Sequence, residues 1–174
     1  MRKLLVLMTL LSISMFSFAG EHTMGKVTGL NIEMTSVGHG IAGKIGDKLV
    51  FGHLDETVSP KTSQLKVLVD DQVYQTNFTM KDGVWGGTLQ THKNKLDVKL
   101  VSLDRTTPAY IIDVNGKEYK VRVEADRFEN NHFINPNYIL EIDGKEVHAK
   151  FSNGQACYMY SLHLIFMIYG SYLL

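Results

Sequence analysis

A single cysteine, Cys157, stands in 174 residues, so no disulfide can form within the chain and its core must suffice unaided. Charge of either sign in excess is also missing, with 18 Lys and Arg against 18 Asp and Glu, which leaves no electrostatic footprint for nucleic acid or an anionic membrane. The apolar run at the start, residues 4–16, falls short of the roughly 20 residues a spanning helix requires. The last 24 residues, 151–174, contain no Asp, Glu, Lys or Arg at all.

The short first run has a different meaning. Arg2 and Lys3 precede it, and Ser17, Phe18 and Ala19 follow it, the basic, apolar and small-residue order of a secretory signal peptide. Cleavage after Ala19 is expected, with the mature chain outside the cytoplasm, periplasmic or secreted. Taking Arg2 and Lys3 from the 18 basic residues leaves 16 against 18 acidic ones, a balance of −2, so nucleic acid is not an expected partner. About 155 residues remain, which suits one domain with a real core.

What is present is strand pattern. Leu65, Val67 and Val69 alternate with Lys66 and Leu68, Leu96, Val98 and Leu100 alternate with Lys95, Asp97 and Lys99, and turn residues punctuate the runs. Residues 108–118 recur as 136–146, each copy carrying a turn pair, Asn115-Gly116 or Asp143-Gly144, between strand-like runs. Such pairs populate the positive φ of a type I′ turn, so each copy reads as a hairpin. The expected fold is all-β, an antiparallel sandwich or flattened barrel of eight or more short strands spanning 20–155. An apolar C-terminal helix or strand, 156–174, closes its core, with a membrane anchor as the alternative and a membrane-spanning barrel ranked behind both.

Gly38, Gly40 and Gly43 spell G-x-G-x-x-G, yet a strand-like run follows where a dinucleotide site needs a helix, so these glycines read as a turn between strands. The sharper candidate is a metal site. Cys157, His163 and Met167 occur in order near the C-terminus, and thiolate, imidazole and thioether together suit copper. This stretch resembles the ligand loop of cupredoxins, which carry Cys, His and Met close together near the end of an exported β-sandwich. The resemblance covers about eleven residues, with a Cys-to-His spacing one residue longer than is common and without the loop's usual Gly and Pro. A helix here would turn Cys157 away from His163 and Met167.

A fourth donor would come from upstream, where His132, in a connection between the two hairpins, is favoured over His53. The ligand set is thus Cys157, His163, Met167 and His132, for copper or zinc. The leading functional expectation is nevertheless an exported, non-enzymatic binding or accessory module. A transition-metal binding protein is the first alternative, and an enzyme using the Cys157 thiol the second.

Overall fold

A computed structural model describes residues 23–29, 32–57, 61–104 and 109–172. The expected signal segment, 1–19, lies outside them. The strands are β1 (Thr23–Gly29), β2 (Ile32–Val37), β3 (Gly40–Ile45), β4 (Lys48–Thr57), β5 (Thr62–Val69), β6 (Gln72–Lys81) and β7 (Val84–Gln90). They continue as β8 (Lys95–Asp104), β9 (Ala109–Val114), β10 (Lys117–Glu124), β11 (Arg127–Glu129), β12 (His132–Ile134), β13 (Asn137–Ile142) and β14 (Lys145–Cys157). One helix, α1 (Tyr158–Tyr172), follows directly.

Strands β1 to β10 pair antiparallel in chain order, β13 and β14 continue the sheet, and β14 returns to β1. The result is a closed barrel of twelve strands, not a sandwich. Closure removes the unpaired edges that a sandwich would leave. Strands β11 and β12 form a short hairpin that extends beyond it, β12 pairing with the last residues of β14.

Both repeated segments are hairpins, β9–β10 and β13–β14. Their turns take positive φ at both central residues, 51° and 83° at Asn115 and Gly116, 51° and 75° at Asp143 and Gly144. The Gly-rich segment is the β2–β3 turn running into β3, with no helix after it.

Period-two alternation dominates the wall. Ile32, Met34, Leu65, Val67, Ile112, Val114, Tyr138 and Leu140 face the lumen and are buried. Outward positions carry charged residues such as Glu33, Lys66, Asp113 and Glu141 and also exposed apolar ones, Val37, Leu49, Phe51 and Leu68. Twelve strands, however, enclose more space than inward side chains fill. Helix α1 occupies it, with every residue from Tyr160 to Gly170 buried. A helix apolar on all sides belongs in a core, and here the core is the inside of the barrel. No helix among the described residues is long and apolar enough to cross a membrane.

Replacing Gly116 or Gly144 by Val should lower stability by on the order of 1 kcal/mol or more, because a β-branched residue resists positive φ. Urea unfolding of the two variants measures it. Midpoints equal to that of the parent protein would contradict the turn assignment.

Candidate functional site at the barrel mouth

The top of the barrel is the end where β14 finishes and α1 enters. Cys157 immediately precedes the helix, at the N-cap position, where the backbone N–H groups of Tyr160 and Met159 favour its thiolate. Burial pushes the Cys157 thiol up despite these donors, and the nearby Glu56 carboxylate adds to the shift. A thiol held protonated is a poor nucleophile.

Below the cap the helix is fastened by hydroxyl pairs reaching in from the wall. Ser36 of β2 meets the Tyr160 phenol at 2.7 Å, and Tyr138 of β13 meets Ser161 at 2.6 Å. Ser161 also donates to the Cys157 carbonyl at 2.8 Å. Further down the helix His163 is fully buried, with Nε2 at 2.7 Å from Ser63 Oγ and Nδ1 at 2.5 Å from Thr76 Oγ1. Ser63 Oγ also lies 3.3 Å from Glu56 Oε1, so the imidazole is tied through the serine towards the acidic rim. Both ring nitrogens are thereby used, and burial pulls the imidazole down to about 3.

The four expected metal ligands do not converge on one point in this arrangement. Cys157 ends a strand and His163 lies about 9 Å further along the helix axis at 1.5 Å per residue, with Met167 one more turn down. The stretch is therefore a strand end and a helix, not a ligand loop of cupredoxin type. Among the described residues no group of three or more His, Cys, Asp and Glu is placed to hold a metal ion.

One pair from the expected set does meet. His132 lies directly across from Cys157 in the β12–β14 ladder, which puts both side chains on one face. Its Nδ1 donates to the Asn130 carbonyl at 2.8 Å, while Nε2 is closed off from solvent with no hydrogen-bond partner among the described residues. The other histidines among the described residues are engaged elsewhere: His39 with the Leu54 carbonyl, His92 with the Tyr74 phenol, and His53 and His148 beside surface carboxylates.

The helix does not fill the barrel evenly. At the bottom, between Ile45, Val69, Tyr74, Leu89, Met167 and Gly170, only about 20 Å³ remains, room for about one water. At the top, a cavity of about 360 Å³ opens between the first turns of α1, the β6–β7 hairpin and the ends of β8 and β9. Trp85, Tyr110, Tyr158, Met80, Met159 and Leu103 line it. A bulge shapes this side: the ladder with β9 skips Val101, between Leu100 and Ser102, so the wall bends where the cavity opens.

Sequence reasoning passed over both features. Ser36, Ser63 and Thr76 were legible only as polar residues standing in the inward phase of apolar strands, a signal that reads as a fault until the helix is opposite. Nothing in the spacing of Trp85, Val101 and Met159 joins them. Comparison with known protein families, with curated proteins and with solved structures finds no match to this chain.

The buried imidazole makes stability depend on pH. Its folded value lies below the ordinary 6.5, so between about pH 6.5 and 3 the unfolded chain binds the extra proton, and stability falls as pH falls through that window. His163→Gln keeps an amide for both hydroxyls and removes the titration. Relative to that variant, the parent protein should lose about 1.4 kcal/mol per pH unit below 6.5 in denaturant unfolding. Parallel pH profiles for the two proteins would refute this.

Proposed function

We propose that this protein is an exported, non-enzymatic binding module whose ligand site is the cavity at the mouth of the barrel. The observation that carries the reading is the difference between the two ends of one lumen. The same helix that leaves about 20 Å³ at the bottom leaves about 360 Å³ at the top, within the range of small-molecule pockets. Its aromatic and thioether lining supplies contact area, and the wall behind it is a rigid closed sheet. Export rests on the N-terminal signal pattern.

Screening a fragment library of mixed charge by NMR tests it. Hits should shift the Trp85 indole resonance together with the Met80 and Met159 methyl resonances, and Leu103→Trp, which fills the cavity, should abolish them. Hits that leave those three residues unmoved would disprove the assignment.

A second reading, soft-metal binding for which copper is the leading ion and zinc the other, is favoured by the His132–Cys157 pair, where an imidazole nitrogen without a partner shares a face with a thiol. Titrating the reduced protein with copper(I) and with zinc should then shift His132 resonances, and Cys157→Ser should remove the shift. Binding unaffected by that substitution would end this reading. The thiol-enzyme alternative finds less support, since Cys157 is kept in its protonated form.

A further inference from the structure

Resting on the proposal that the mouth cavity is the ligand site, we infer that its ligand is an uncharged, flat, largely apolar molecule of roughly one or two fused rings. Charge decides the first property. None of the residues lining the cavity is Asp, Glu, Lys, Arg or His, so an ion entering it would lose water and gain no counter-charge. The bottom of the barrel offers no way round this, because the helix is packed against the wall there.

Shape decides the second. Trp85 from β7 is partly exposed on the lining, with the packed rings of Tyr110 and Tyr158 behind it, and an aromatic face of this kind accepts a planar guest by stacking. Met80 and Met159 add polarisable thioethers that adapt to an aromatic edge. Tyr110 is fully buried and donates its phenol proton to the Tyr158 carbonyl at 3.3 Å, so it backs the cavity and its hydroxyl is committed. The exposed Ser102 supplies a hydroxyl on the lining for a polar substituent of the ligand. The cavity lies at the small end of ligand sites, which sets the size.

Three naphthalene probes of one shape test this: the neutral 2-naphthylmethanol, the anionic 2-naphthoate and the cationic 2-naphthylmethylammonium. Affinities are read from the Met80 and Met159 methyl resonances of the full mature chain. The neutral probe should bind at least tenfold more tightly than either ion. Val101 is 38% exposed at the rim, so a carboxylate there is solvated, and Val101→Asp should raise affinity for the cation severalfold while weakening the anion. An ion that binds the parent protein as tightly as the alcohol would overturn the ligand class and leave the cavity assignment standing. Absence of any methyl shift with all three probes, when other fragments do move those methyls, would overturn it equally. If no fragment of any kind moves them, the cavity assignment falls and this inference with it.

Discussion

The fold depends on filling the inside of a wide barrel. Twelve strands close without edges, but closure creates a lumen that a single layer of inward Val, Leu, Ile and Tyr side chains leaves partly empty. An empty apolar lumen loses dispersion contacts on every side, and a wet one exposes the wall to water. The chain solves this with its own last element. A helix without a single charge, placed immediately after the closing strand, runs down the axis and turns the lumen into a core.

Inserting such a helix raises a second requirement, because its side chains are not purely apolar. Tyr160, Ser161 and His163 carry polar atoms into a space where each would be costly without a partner. The wall answers with Ser36, Tyr138, Ser63 and Thr76, each at an inward strand position that could have held an aliphatic residue. These bonds are directional, whereas apolar packing alone tolerates rotation and sliding of a helix that is hydrophobic all round. The polar pairs therefore set the depth and rotation of α1. That placement in turn positions Met159 and Leu162 at the mouth and determines which part of the lumen stays open.

Chemistry at the mouth follows from the same geometry. The helix start places Cys157 at the N-cap position under burial, which keeps the thiol protonated, and the extension of β12 along β14 sets His132 beside it. Had residues 157–167 formed a loop, the Cys, His and Met side chains could have converged. As a helix they are spread along an axis, and the imidazole is spent on fastening the helix to the wall. The donors that stand out in the sequence are thereby dispersed, while the mouth cavity is lined by residues that do not stand out.

Local patterning determined a great deal by itself. Period-two alternation marks Leu65–Val69 and Leu96–Leu100 as strands, and Asn115-Gly116 and Asp143-Gly144 mark hairpins, because pleat geometry and positive φ act over a few residues. The absence of charge after residue 150 likewise marks the C-terminal segment as something kept from water. Only the tertiary structure decided whether the strands form a sandwich or close into a barrel, since alternation is identical in both and closure is a pairing between β1 and β14, more than a hundred residues apart. It alone decided that the apolar end is a helix inside the barrel, and that inward Ser63 and Thr76 are its partners. The mouth cavity is of the same kind. It is bounded by β6, β7, β8, β9 and α1, and a space between elements has no representation in any one of them.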